Sequence, residues 1–343
     1  MMTLWSFALG IVAGLAAYGV GLPLPWMLGP MIATTIAASA GLPINQPKSW
    51  PMVALPIIGV MLGSRITAEI VEQAGQFTLT LILLVPFVFV ACGLSFLFYR
   101  KVAGFDRVTA YYAAMPGGLN DMMILGAAAG GDDRRIALAH AARVLCVIGF
   151  VALFFGFVLG VRSANAGGGW VGLTDLGLSE AGWLLFSVAL GIPLGLALRL
   201  PAAPMLGPML VSGAVHVAGL VELPPPDLLV IAAQIVLGVR IGARFNGVAA
   251  GMIVRDLGFG AVSSIMMISV ALIFAWVASY ASGVEMTQSF LAFSPGGFIE
   301  MSLLALALGQ EVAYVSFAHM ARILLVIFGA PVAYRMIWGR PDE

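Results

Sequence analysis

Two short segments hold the residue types best suited to chemistry. Pro116-Gly117-Gly118-Leu119-Asn120-Asp121-Met122 and Pro295-Gly296-Gly297-Phe298-Ile299-Glu300-Met301 share one pattern. Proline lacks an N–H and ends a helix, and glycine adopts dihedrals other residues avoid. Each segment therefore breaks a helix and lets another start. The free N–H groups and positive dipole end of the new helix favour an anion. Gly117, Gly118, Gly296 and Gly297 would shape a substrate site there. An acid within an apolar segment is a functional candidate by default. Asp121 and Glu300 are expected to bind a coupling proton or sodium ion, or else to cap their own helices. Asn120 faces Ile299 in the other segment, so Asn120 is an extra substrate ligand in the first site only.

A second pair lies further on, His140 with Arg143 and His319 with Arg322. The i,i+3 spacing puts both side chains on one helix face. An arginine deep in an apolar span needs a partner or water. Arg143 and Arg322 are candidates to bind a substrate carboxylate through two N–H groups, or to pair with Asp121 and Glu300. His140 and His319 would supply titratable groups beside them. Arg65 and Arg240 close apolar segments and read as side chains that snorkel to the interface. His216 and Glu222 have no repeated counterpart and read as packing or loop residues. Asp132-Asp133-Arg134-Arg135 reads as a solvated turn, and the free Cys92 and Cys146 as small buried hydrophobes.

What positions these residues is a duplication. Met27-Leu28-Gly29-Pro30-Met31 recurs as Met205-Leu206-Gly207-Pro208-Met209, an offset of 178. The segments beginning at Ala8, Leu62, Pro116 and His140 recur at offsets of 181, 175, 179 and 179. The expected organisation is a first repeat over 1–162, a Gly-rich linker over 163–179 and a second repeat over 180–343. Each repeat offers five apolar segments: about 3–22, 26–40, 51–66, 76–99 and 134–160, then about 181–199, 204–219, 227–243, 257–281 and 311–335.

Composition fixes the setting. Of 343 residues, 61% are hydrophobic and 9% charged, too few charges for a soluble surface. The net charge of +0 offers no footprint for nucleic acid. The positive-inside rule then chooses a topology. If the Pro-Gly-Gly stretches are re-entrant and the amino terminus is cytoplasmic, Lys48, Arg100, Lys101, Arg107, Arg134, Arg135, Arg199, Arg240, Arg244, Arg255, Arg335 and Arg340 fall inside, and Arg65 and Arg162 outside. If those stretches span the membrane, the same charges divide evenly. The expected fold is an all-α polytopic membrane protein of two inverted repeats, each of five transmembrane helices with a Gly-rich re-entrant hairpin or broken helix. Both termini are expected in the cytoplasm. Such repeats with midplane breaks are a recurring plan of secondary transporters, and hairpins from opposite faces suit alternating access. No metal or haem ligand set and no phosphate loop is present, which argues against an enzyme or an ATP motor.

Leu24-Pro25-Trp26-Met27-Leu28-Gly29-Pro30, the two Pro-Gly-Gly-x-x-(Asp/Glu)-Met segments and the two His-x-x-Arg segments resemble the bacterial AbrB-duplication membrane family. That family is often labelled an ammonia monooxygenase or an AbrB-type regulator. The resemblance implies a bacterial inner-membrane protein, grouped with the cation:proton antiporter and anion transporter fold. The hairpin plan is also similar to that of hydroxycarboxylate transporters. The expected function is transport of a small polar or anionic metabolite coupled to H+ or Na+, without a cofactor. The expected partners are the bilayer and the substrate, with a homodimer compatible with the architecture and no direct nucleic acid. The alternative is a membrane-embedded regulator or scaffold.

Overall fold

A computed structural model describes residues 2–22, 24–45, 47, 49–67, 75, 77–154, 170–200, 202–246 and 250–339. Fourteen α-helices and no strands occur among them. They are α1 Met2–Val20, α2 Pro25–Ser39, α3 Trp50–Gly63, α4 Phe77–Lys101, α5 Arg107–Ala114, α6 Leu119–Ala128, α7 Asp133–Leu153, α8 Leu178–Ala197, α9 Ala203–Val217, α10 Asp227–Gly242, α11 Ala250–Ser282, α12 Met286–Phe293, α13 Phe298–Ala307 and α14 Val312–Trp338. The core of the expected Gly-rich linker lies outside the described residues.

Outward faces are apolar: Phe89 is 67% exposed, Phe328 71% and Leu178 96%. Helices that are apolar all round belong in a membrane or a large core. Five helical segments are long and apolar enough to cross a bilayer: Phe77–Lys101, Leu178–Ala197, Asp227–Phe245, Arg255–Ser282 and Val312–Trp338. Leu4–Val20, Trp50–Gly63 and Ala203–Val217 are apolar but shorter. Of the ten apolar segments expected, several are short: α2, α3 and α9 run 15, 14 and 15 residues.

The chain forms two compact units, each drawing on both sequence halves. The first contains 1–74, 152–248 and 302–313. In it α1 packs on α2 and α8 on α9, while α3 packs on α9 and α10 on α2. The exchange is reciprocal, because the second helix of each half lies against the third helix of the other. Glycine permits the close approach. A Cβ on Gly59 would strike the Met205 carbonyl, and one on Gly238 the Met27 carbonyl. Within each half the same device recurs: Gly29 lies against the Ala13 carbonyl and Gly207 against that of Gly191. A hydroxyl adds to the contact of α9 with α3, Ser212 donating to the Val60 carbonyl at 2.9 Å, while Thr34 satisfies the Pro30 carbonyl of its own helix at 2.6 Å.

The second unit contains 75–151, 249–301 and 314–343. There α4 packs on α11, α5 on α4, and α12 on α11. Ser95 and Ser263 hydroxyls bond at 2.6 Å between α4 and α11. Tyr111 of α5 donates to the Ala330 carbonyl of α14 at 2.8 Å, inside an aromatic cluster with Tyr334 and Trp338. The pair α5–α6 is a hairpin whose ends meet. Asp106 accepts from the Thr109 N–H at 2.9 Å to cap α5, and the Asp132 N–H, past the end of α6, donates to the Thr109 hydroxyl at 2.8 Å.

Gly207→Ala is expected to destabilise the protein by ~1–3 kcal/mol, because the added methyl meets backbone that cannot move aside. Gly93→Ala in α4, where a Cβ meets nothing within 4 Å, should leave stability unchanged or raise it by up to about 1 kcal/mol. Thermal denaturation of the two variants in one detergent measures the contrast.

Candidate functional site

The second unit explains the spacing of the Pro-Gly-Gly motif. α6 begins after Gly118, and α13 begins with Phe298, one residue after Gly297. The Asp121 carboxylate curls back over Gly118, and that of Glu300 over Gly297; a Cβ on either glycine would collide with the acid. The first glycine serves the methionine. A Cβ on Gly117 would lie 3.1 Å from Met122 Cγ, and one on Gly296 2.8 Å from Met301 Cγ. The motif is thus a folded unit, in which two side chains of the new helix turn back onto the break. Each carboxylate lies at the positive end of its own helix, where the dipole and free N–H groups stabilise it. Gly117 also faces Val326 of α14, with Cγ1 3.0 Å from its would-be Cβ. The Asn120 side chain is outside those described.

A helix that stops early leaves carbonyls without intrahelical donors. The His-x-x-Arg pairs meet that need in two ways. Arg322, 2% exposed, donates Nη1–H to the Ser294 carbonyl at 2.5 Å and Nη2–H to that of Gly296 at 2.9 Å. It clamps the second break directly. Arg143, 4% exposed, acts through its histidine: Nη2 lies 2.6 Å from His140 Nδ1, and His140 Nε2 lies 3.0 Å from the Tyr112 carbonyl in the last turn of α5. The guanidinium can only donate, so this network assigns His140 the neutral form with its proton on Nε2. His319 instead turns Nδ1 to the Val315 carbonyl of its own helix at 3.0 Å.

The two arginines therefore differ. Arg143 Nη1 meets only the Met267 sulfur at 4.0 Å, and its Nε has no partner. No carboxylate pairs with Arg143 among the described residues. The sequence halves place these cations 179 positions apart, yet Arg143 and Arg322 are close enough to repel each other, and both act on buried Cys92 of α4. The duplicated motifs thus contribute to one electropositive interior. The alternative reading, a pair of Arg143 with Asp121, does not form: Asp121 is turned onto Gly118.

One charged residue of this unit escaped the sequence reading. Asp256 of α11 is 2% exposed; its Oδ1 accepts from Arg255 Nε at 3.1 Å and its Oδ2 has no partner. An adjacent Arg-Asp pair resembles a solvated turn. Its position in the continuous apolar helix running to Ser282 was the available signal.

The family described as "Transition state regulatory protein AbrB" matches residues 26–338, which include both Pro-Gly-Gly and both His-x-x-Arg segments. The chain belongs to the AbrB family. It is 25% identical over 330 residues to "Putative regulator AbrB" of Escherichia coli (strain K12), covering 96% of this chain and 94% of that one. It is 26% identical over 361 residues to "Uncharacterized protein YhjN" of Bacillus subtilis (strain 168), covering 97% and 92%. These AbrB relatives match over nearly their whole length, so the duplicated motifs are embedded in a likeness that runs the length of the chain.

Arg322→Met should cost about 3 kcal/mol, since it leaves the Ser294 and Gly296 carbonyls without their charged donor. Arg143→Met should be near-neutral or stabilising by ~1 kcal/mol or more, because it removes an unpaired buried charge and the repulsion between the cations. Chemical denaturation in mixed micelles reads the difference, and equal losses would contradict the assignment of separate roles.

Proposed function

We propose that this AbrB-family chain is a secondary transporter of a small anionic or polar metabolite in the bacterial inner membrane, driven by H+ or Na+. The observation that carries the reading is the buried pair Arg143 and Arg322, with donor groups of Arg143 unclaimed beside broken helices. A buried unpaired cation costs several kcal/mol, which an entering anion offsets. In this reading the halves are inverted repeats, and the hairpin whose ends meet at Thr109 and Asp132 is re-entrant.

In this reading the roles divide as follows. Arg143, with Asn120, binds the substrate anion. Arg322 holds the backbone of Ser294 and Gly296 in place beside Gly297 and adds positive potential. Asp121 and Glu300 take the coupling cation, and His140 keeps Arg143 oriented. Chemistry on the substrate, a cofactor and nucleic acid have no part in it.

A second reading is a membrane-embedded regulator acting through protein contacts. The family description and the name of the Escherichia coli relative favour it.

Thermal shift of the protein in nanodiscs separates the two. A mono- or dicarboxylate that binds the folded state raises its stability by about 2.7 kcal/mol at ~100 times its dissociation constant. The transporter reading expects such a ligand, its loss in Arg143→Gln, and uptake of the same ligand into proteoliposomes that collapses in Asp121→Asn. A panel of carboxylates with no shift in a protein that still melts cooperatively would favour the regulator.

A further inference from the structure

The first unit contains a cavity of about 330 Å³ lined by Tyr18, Trp26, Arg65, Trp170, Asp227 and Gln234 among aliphatic and proline side chains. That volume lies at the lower end of the ~300–1,000 Å³ range of small-molecule sites. Gln234, 8% exposed, lines it. Arg65 Nε is buried and has no hydrogen-bond partner among the described residues. Buried polar groups are nearly always satisfied, so an unpartnered arginine nitrogen at a cavity points to an occupant.

The charges specify its chemistry. Asp227 is close enough to attract Arg65. Its Oδ2 accepts from the Val171 N–H at 2.7 Å, while its own N–H donates to the Val171 carbonyl at 3.0 Å. This clip fixes 170–171 across the start of α10 and sets Trp170 at the cavity. A ligand carboxylate drawn to Arg65 would leave Asp227 without its counter-charge. An ammonium on the same ligand restores neutrality, and tryptophan and tyrosine rings are the partners cations prefer.

We propose that this cavity binds a small zwitterion, an ammonium and a carboxylate or phosphate on one short carbon frame. Arg65 and Gln234 hold the anionic end, and Asp227 with the aromatic rings holds the cationic end. The site is separate from Arg143 and does not depend on the transport reading.

Isothermal titration of the full chain in phosphatidylglycerol nanodiscs tests it with L-leucine, L-glutamine and glycine betaine as probes. At least one should bind saturably. If L-leucine binds, 4-methylpentanoate and 3-methylbutylamine, which each lack one charge, should bind at least tenfold more weakly. Arg65→Gln and Gln234→Leu should each weaken the probe at least tenfold, and Arg143→Gln should change it less than twofold. If Arg65→Gln does not fold, Gln234→Leu, a neutral replacement, decides alone. A tenfold loss of probe affinity in phosphatidylethanolamine nanodiscs would support the same chemistry, with a lipid headgroup as its source. Absence of binding by all three probes, wild-type affinity in the folded variants, or equal binding of 4-methylpentanoate would overturn the proposal. Loss of binding in Arg143→Gln alone would move the ligand to the other unit and overturn this site while leaving the transport reading intact.

Discussion

A helix interrupted inside an apolar body must find donors for the carbonyls it leaves behind, and the second unit is organised around that requirement. Proline removes a donor and ends the run, so the last turns of α5 and α12 have acceptors without partners. Water is scarce in such surroundings, and each unpaired group costs ~1–3 kcal/mol. An arginine one helix away is the economical answer, since its fork carries five N–H donors and no acceptor. At the second break Arg322 spans the carbonyls of Ser294 and Gly296. At the first, a histidine intervenes and reaches the Tyr112 carbonyl on behalf of Arg143. The positive interior is therefore a consequence of keeping broken backbone satisfied. In the proposed transport reading, the anion site grows out of that structural requirement.

Duplication supplies the second constraint. In the first unit the halves exchange helices, and Gly59 and Gly238 press against corresponding carbonyls, those of Met205 and Met27, an equivalence at an offset of 179 where the sequence pattern pairs Gly63 with Gly238 at 175. Such contacts tolerate no side chain on either half, which keeps the two copies alike where backbones touch. Where side chains face a cavity or a break, the copies are free to differ. Both Arg143 and Arg322 leave Nε without a hydrogen bond among the described residues, but Arg322 gives both terminal nitrogens to backbone, whereas Arg143 gives one to His140 and sets the other near the Met267 sulfur. His140 and His319 have likewise taken different partners, one across to α5 and the other within its own helix.

Much of this was legible in the sequence, for reasons that are local. Helix bounds followed from apolar runs and from proline and glycine punctuation, so α2, α9 and α10 begin within a residue of the expected positions. The importance of Pro-Gly-Gly and of His-x-x-Arg was visible because both recur. What lay hidden depends on which atoms meet in space. The i,i+3 distance from Gly118 to Asp121 is written in the chain, but nothing in it says that the carboxylate folds onto that glycine instead of reaching Arg143. Asp256 falls one residue before the apolar segment expected at 257–281, whereas the helix itself begins at Ala250 and buries it. The grouping of both halves into each compact unit is a property of long-range packing that no single segment encodes.

The asymmetry between the two arginines also bears on selectivity. A site built to hydrogen-bond a group rejects the analogue lacking it by up to ~10⁴–10⁵, because buried polar atoms are then left unpaired. In the proposed reading Arg143 begins in that state, since no carboxylate pairs with it among the described residues. A neutral molecule of the same shape would seal the cation away from water without compensating it. An anion replaces the missing hydrogen bonds and also reduces the repulsion between Arg143 and Arg322. Discrimination by charge thus requires no dedicated gate. In the proposed reading it follows from one guanidinium with Nε and Nη1 left open, next to another whose two terminal nitrogens the broken backbone has already taken.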